Sequence, residues 1–456
     1  MKMINDNQPS RRSFFKTSAL RALGTFSLPA FLGGCSSSSS KEDKLKDVVI
    51  TEILDKAPDG RPLKAGLVGC GGRGTDAAFN LIEAGNDLQV TAICDIFKDK
   101  METCRDALRA KGQNIPDEKC FVGFEAYKQV IDSGVDLVLL CQPPVFRPMS
   151  FEYAIQKGKH CFVEKPCAVD PVGSRKMLVL GKQAAQQNLS VQGGLCLRYM
   201  KSIVEAYRRV AEGAIGDIIS VHSSRFGGPM WVRQREKGWN DMEYVMRNWV
   251  NFNWMCGDHI VDSHMHQMDL MAMFMGDKKL PVRAEATGGR QHAFTGDMYD
   301  FFSTEFVFAD GLRAHFTNRK IAGCDSQNVL YIYGTKGYVE VMSSKIYNLD
   351  GTLQWEYPRP KRGDADQTWA VPNMYVQELI HFVKAIRTNT PINDMERHVN
   401  SNMMAILGRE AAYSGKFITW DQIMASDLKL GPETWQFGPI PGFTEKAPVP
   451  GAPPKA

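Results

Sequence analysis

Three of the chain's nine histidines fall within Gly257-Asp258-His259-Ile-Val-Asp262-Ser-His264-Met-His266-Gln-Met-Asp269. An imidazole exchanges a proton near neutrality, its unperturbed pKa being ~6.5, so this stretch is equipped for general acid–base work. On a helix from Asp262 to Met275, Asp262, His266 and Asp269 share one face at i, i+4 and i+7. A carboxylate can then orient the His266 ring from one turn back. The same side chains supply enough ligands for zinc, but His259 and His266 are seven residues apart and His264 points elsewhere on a helix, so no metal is expected. Just upstream, Arg247-Asn248-Trp249-Val-Asn251-Phe-Asn253-Trp254 sets rings beside amides. Such rings, Trp254 among them, can stack on sugar faces while amides bind hydroxyls, or can simply fill a core.

The elements that would position these groups begin with Leu63–Val68, a short apolar run entering Gly69-x-Gly71-x-x-Gly74 and then a segment with Ala77, Ala78, Leu81 and Ile82 at helical spacing. In such a strand, turn and helix the first glycine permits the tight turn, the second lets backbone approach a pyrophosphate, and the third lets helix pack on strand. With Gly72 and Arg73 they form a cradle at a helix N-terminus, whose free N–H groups suit phosphates. A second strand, Leu88–Cys94, ends in Asp95, about twenty residues past the last glycine, where a carboxylate accepts ribose hydroxyls or caps the next helix. Asp95 would repel a 2′-phosphate, which favours NAD over NADP.

Helix and strand then alternate: helices at 98–111 and 124–132, the strand Val135–Cys141 opening into Gln142-Pro143-Pro144, a helix at 148–156, and the strand Lys159–Val163 ending in Glu164-Lys165-Pro166. Alternation of this kind builds a parallel sheet covered on both faces, with ligands at the carboxyl ends of its strands. Lys165 at a strand end can donate to a substrate hydroxyl. After a helix to Gln187 and a strand at 189–192, strands at 284–288, 301–308, 312–318, 329–334 and 337–342 read as consecutive hairpins of a mostly antiparallel sheet. Helices at 374–388 and 399–414 follow, with an irregular tail.

The glycine turn, the Val135-Asp-Leu-Val strand running to proline, Ala154-x-x-x-Gly158-Lys159-His160, Glu164-Lys165-Pro166 and Asp262-x-x-x-His266-x-x-Asp269 together resemble the glucose-fructose oxidoreductase and inositol dehydrogenase (Gfo/Idh/MocA) family from about residue 62 to 415. That resemblance implies a Rossmann domain followed by an α+β domain. It implies that Lys165 faces nicotinamide and substrate, that His266 is the general base at the reacting carbinol with Asp262 beside it, and that Gly69, Gly71, Gly72, Arg73, Gly74, Asp95, Gln142, Pro143 and Glu164 surround NAD. Arg198 and Tyr199, at a strand end that points into the family's active site, become candidate substrate contacts with Asp269; an ion pair and a packed ring are the alternatives. The pattern departs at Arg147, where many members have histidine.

A chain of 456 residues with 43% hydrophobic content can hold two ordinary soluble domains, expected here at 61–190 and 191–430 with a tail at 431–456. Its net charge of +4 gives no reason to invoke nucleic acid. Ser10-Arg11-Arg12-Ser-Phe-Phe-Lys16 before an apolar run, then Leu32-Gly-Gly-Cys35, reads as a twin-arginine lipoprotein signal over 1–35, with a polar tether at 36–60. Export to the periplasm or outer membrane and a lipid anchor at Cys35 follow as expectations. The other ten of the eleven cysteines form no CxxC pair and read as small buried residues. The expected activity is NAD-dependent oxidation of a secondary hydroxyl of a sugar or glycoside, in a homo-oligomer joined through the C-terminal sheet. The alternatives are an NAD-dependent glycoside hydrolase working by oxidation, elimination, addition and reduction, or a non-catalytic sugar-binding lipoprotein.

Overall fold

A computed structural model describes residues 49–292, 294–358 and 373–451; the signal, the lipobox and the first part of the tether lie outside them. The nucleotide half alternates β1 (Leu63–Val68), α1 (Gly72–Ala84), β2 (Leu88–Asp95), α2 (Lys98–Ala110), β3 (Cys120–Val122), α3 (Ala126–Asp132), β4 (Leu137–Leu140), α4 (Arg147–Gln156), β5 (His160–Val163), α5 (Pro171–Gln186) and β6 (Val191–Gly193). The strands form a parallel sheet in the order β3-β2-β1-β4-β5-β6. Every side chain of Leu137–Leu140 is buried, as a central strand covered on both faces requires. The order reverses between β1 and β4, which opens a crevice beyond their carboxyl ends.

The second half follows α6 (Lys201–Ala211) with a nine-stranded sheet, ordered β14-β13-β12-β11-β7-β10-β9-β8-β15. Its strands are β7 (Ile218–Gly227), β8 (Arg283–Gly289), β9 (Phe301–Val307), β10 (Arg313–Lys320), β11 (Gln327–Gly334), β12 (Gly337–Glu340), β13 (Lys345–Asn348), β14 (Leu353–Glu356) and β15 (Ile418–Thr419). All neighbours are antiparallel except β7 and β10. In β9 burial alternates residue by residue: the buried face meets α9 (Met395–Ser414), while α7 (Met265–Met275) packs on β7 and β11 of the same sheet, and the other face is more open.

Strands β3, β13, β14 and β15 are not among those expected from the sequence, and three further differences bear on the site. Strand β7 lies at the sheet's centre although its polar face hides the alternation: Val221 and Ser223 are buried while His222 is exposed. Helix α8 (Met374–Arg387) completes the nucleotide half, placing Val376, Leu379, Ile380, Phe382 and Val383 in one core with Leu63, Leu67 and Leu81. The helix expected from Asp262 to Met275 is broken. A single turn, His259–Asp262, precedes a break at Ser263-His264, and α7 begins at Met265. That turn is anchored by Asp258, which sits at φ 69° and whose carboxylate accepts from the His259 and Tyr299 N–H groups and the Tyr413 hydroxyl.

Candidate functional site

At the crevice, Gly69 has φ 97°, and a side chain there would meet the Gln142 backbone N at 2.5 Å. A Cβ on Gly74 would stand 1.9 Å from the Gly69 carbonyl, so α1 packs directly on the turn. Cβ atoms at Gly71 and Gly72 would meet nothing within 4 Å, and α1 starts there with no side-chain cap. Open space thus faces the free N–H groups of a helix start. Gln142, Pro143, Gly69 and Asp95 border one cavity, and both amide atoms of the buried Gln142 lack a hydrogen-bond partner among the described residues. Asp95 accepts from the Cys70 and Phe97 N–H groups at 2.8 and 2.9 Å, so it shapes the turn as well as facing the cavity; burial pushes its pKa up against those two bonds. Open cradle, orphaned amide and acid fit a dinucleotide.

The rim of this cavity includes residues that the sequence did not single out. Phe124 and Phe146 line it, and the tail returns to cover them: the Trp435 ring lies 4.3 Å from Phe146, and Phe437 lies 5.0 Å from Phe124 and 5.7 Å from Phe97.

A larger cleft, about 670 Å³, opens between the halves, and Lys165, Asp262 and His266 all line it beside Arg73 and Glu164. Lys165, just past β5 and in a cis peptide bond with Pro166, donates from Nζ to the Asp262 carbonyl at 2.6 Å. Arg147 is buried and donates to the Pro166 carbonyl, so the residue that departs from the family pattern supports this loop. Glu164 accepts from Arg73 Nε at 2.6 Å and from the Lys165 N–H at 3.0 Å; Arg73 also reaches Glu378 at 3.4 Å. The pair ties the glycine turn to the end of β5.

His266 is half-buried, and its Nδ1 has no hydrogen-bond partner among the described residues. Burial, with Lys165 and Arg225 facing it, pushes its pKa well below the usual imidazole range, so the ring is a neutral base at physiological pH. The expected orienting bond from Asp262 is absent: no hydrogen bond joins that carboxylate to the ring, because the break at Ser263-His264 takes the two out of continuous helical register. Asp262 contributes its backbone carbonyl to Lys165 instead.

Four proposed substrate contacts lie elsewhere. Arg198 is buried against Asp269 at 2.8 Å and Asp277 at 2.6 Å, and Asp269 also accepts from Ser401, so Arg198 and Asp269 form an internal ion pair rather than a substrate site. Tyr199 is buried with its hydroxyl accepting from Gln192 at 2.9 Å. Trp254 packs on Trp435, 6.1 Å between ring centres, and does not line the cleft. His259 Nε2 meets Asn318 Oδ1 at 2.7 Å and His264 lies edge-on to His259 in the core; among the described residues no metal-binding group of three side chains forms.

Trp231, Trp249, Arg225, Lys320 and Asn328 line the cleft without having been chosen from the sequence. Trp249 lay inside the aromatic stretch already noted. Lys320 needed β10 to run past Asn318, and Arg225 needed β7.

Residues 63–192 match a model for the oxidoreductase family with an NAD-binding Rossmann fold, named for GFO/IDH/MocA. Residues 203–340 match the GFO/IDH/MocA C-terminal domain. An uncharacterized oxidoreductase of Streptococcus pneumoniae is 23% identical over 299 residues, 64% of this chain and 71% of the relative. An inositol 2-dehydrogenase of Rhizobium meliloti is 22% identical over 332 residues, 72% of this chain and 90% of the relative. Among solved structures, GenD2 from gentamicin A biosynthesis, in complex with NAD, has a TM-score of 0.61 at 18% identity, covering 81% of this chain and 99% of that one. The two model matches together span more than half of the chain and divide where its two sheets divide, so the chain belongs to the Gfo/Idh/MocA family of NAD-binding oxidoreductases.

Proposed function

We propose that this protein oxidises a secondary hydroxyl of a sugar or glycoside, with NAD rather than NADP as the acceptor, after export as a lipoprotein. The observation that carries the reading is that Lys165, from the nucleotide half, and His266, from the substrate half, line one cleft beside the glycine turn's Arg73. Bound NAD would supply the hydride acceptor. His266, neutral through burial and facing cations, takes the hydroxyl proton. The Lys165 ammonium, fixed by the Asp262 carbonyl, positions the hydroxyl oxygen and favours its negative charge as the proton leaves. Trp231 and Trp249 offer flat faces for the carbon skeleton. The inositol 2-dehydrogenase relative, whose name specifies a cyclic polyol, supports a polyhydroxylated substrate.

Export separates the enzyme from the cytoplasmic NAD pool, so the cofactor must be loaded before export and retained. The aromatic cover of Trp435 and Phe437 over the nucleotide cavity suits that demand. Native mass spectrometry of the purified protein tests retention, and a sugar panel followed by nicotinamide absorbance tests oxidation. Protein with no bound nicotinamide, inert toward every polyol with added NAD, would sink the proposal.

A further inference from the structure

Proton and hydride transfer give roles to His266 and Lys165, and Arg73 is matched by Glu164 and Glu378. Two cations on the same cleft remain unaccounted for. Arg225 lies on β7 and Lys320 ends β10, adjacent parallel strands in which Arg225 pairs with Asn318 and Lys320 with Gly227. Lys320 folds back over β7, since a Cβ built on Gly227 would lie 3.9 Å from its Nζ. Arg225 donates to the Gln267 amide at 3.3 Å. Neither forms an ion pair with a carboxylate among the described residues.

Both are half-buried, and the cleft offers them little compensation. Five cations (Arg73, Arg147, Lys165, Arg225 and Lys320) line the cleft against two carboxylates, Glu164 and Asp262; with the Glu378 carboxylate that also meets Arg73, positive charge still exceeds negative by two (five minus three). Burial lowers the pKa of both Arg225 and Lys320, and the Arg225 charge lowers that of Lys320 further, against the opposing pull of Asp262. The dinucleotide's phosphates belong at the start of α1 in the other half, so they do not neutralise this pair. Holding two like charges away from water costs folding free energy, a cost that a ligand's negative charge offsets. A guanidinium beside an ammonium suits a carboxylate or phosphate, the first as a fork and the second as a point charge. Trp231 and Trp249 border the same cleft, and so does His266.

We infer that the substrate is an acidic polyol, a sugar or glycoside carrying a carboxylate or phosphate, whose anionic group is held by Arg225 and Lys320 while a secondary hydroxyl faces His266 and Lys165. The placement of the hydroxyl rests on the oxidoreductase reading; the anion site does not.

The test uses the purified protein saturated with NAD and three probes on one skeleton: methyl β-D-glucopyranoside, methyl β-D-glucuronide and methyl β-D-glucopyranoside 6-phosphate, with the matching galactose set. Binding is read by calorimetry and oxidation separately by nicotinamide absorbance. At low salt at least one acidic probe binds about tenfold or more tighter than its neutral counterpart. Whether uronide or phosphate wins identifies the acid. The preference shrinks with added salt and disappears in Arg225→Met and Lys320→Met. Without ligand, Lys320→Met melts at or above the wild-type temperature, because it removes an uncompensated charge. No preference in either set, absence of binding included, overturns the inference. A Lys320→Met protein that melts below wild type also overturns it, assigning the pair to the fold. Tight binding of an acidic probe, with no polyol of the panel changing nicotinamide absorbance, defeats the proposed oxidation and leaves the anion site standing.

Discussion

Lys165 Nζ and the backbone carbonyl of Asp262 meet at 2.6 Å, joining the end of a nucleotide-half strand to a helical turn of the substrate half. The contact fixes the amine from the backbone, so its position does not depend on the Asp262 carboxylate. Lys165→Met should therefore retain bound NAD and lose about 10²- to 10⁴-fold in kcat, as His266→Gln should. Lys165→Arg should not restore activity, because a planar fork does not fit a site built for a point charge. Asp262→Asn should lose less than either. Steady-state kinetics on the NAD-loaded variants decide this; an Asp262→Asn protein as impaired as His266→Gln would restore the carboxylate to a direct role.

If His266 is the base of the proposed oxidation, its depressed basicity should set the pH profile. Oxidation requires the neutral ring, so kcat/KM should stay level as pH falls through ~6.5, the unperturbed value, and decline only in more acid solution. An acid limb centred near ~6.5 in a pH–rate profile would contradict the assignment.

Stability should carry a related signature at His398, which burial and the charges of Arg147, Lys165 and Arg198 hold at about 3. The unfolded residue titrates near ~6.5, so between there and about 3 the unfolded chain binds a proton that the folded protein does not. His398 therefore adds no pH dependence above that window. Inside it, stability falls as pH falls, by up to ~1.4 kcal/mol per pH unit. Denaturant melts at pH 7, 6 and 5 should show a shallower loss for His398→Gln than for wild type.

Two glycines of the turn should separate folding from cofactor binding. Gly74→Ala drives a methyl to 1.9 Å from the Gly69 carbonyl and should cost ~1–3 kcal/mol or prevent folding. Gly71→Ala meets nothing within 4 Å and should fold normally, yet its methyl enters the space proposed for the pyrophosphate. Normal melting with NAD binding weakened about tenfold or more, measured by calorimetry on protein stripped of cofactor, is the expected result; unchanged affinity would place the phosphates elsewhere.

The tail's aromatic cover should govern how long the cofactor stays. Trp435→Ala and Phe437→Ala remove rings packed on Phe146 and on Phe97 and Phe124 at the nucleotide cavity. Both should shed NAD faster on dialysis, with kcat preserved when NAD is supplied in excess. Unaltered retention would reduce the tail to a structural wrap.

The buried Arg198–Asp269 pair should behave as part of the fold. Arg198→Met strands a buried carboxylate and should cost about 3–5 kcal/mol. The folded fraction should keep wild-type KM, whereas a substrate contact would raise KM without that loss of stability.

The nucleotide half was legible in the chain because its signals are local. Five of the sheet's six strands, a glycine turn whose spacing is set by backbone sterics, and an acid at the end of β2 each follow from a few consecutive residues, whereas the three-residue edge strand β3 carries no such signal. Lys165 and His266 could be named from their motifs for the same reason. Tertiary structure decided what depends on residues far apart in sequence. Arg198 looked like a substrate contact until Asp269 and Asp277 closed around it, and Trp254 like a sugar platform until Trp435 covered it. Asp262 was expected to act through its carboxylate, but a break in the helix turned its carbonyl to Lys165. Arg225 and Lys320 became neighbours only when β7, too polar on one face to advertise itself, paired with β10. Side-chain type and local period are written along the chain; which charges find a partner, and which are left facing the cleft, is settled only by packing.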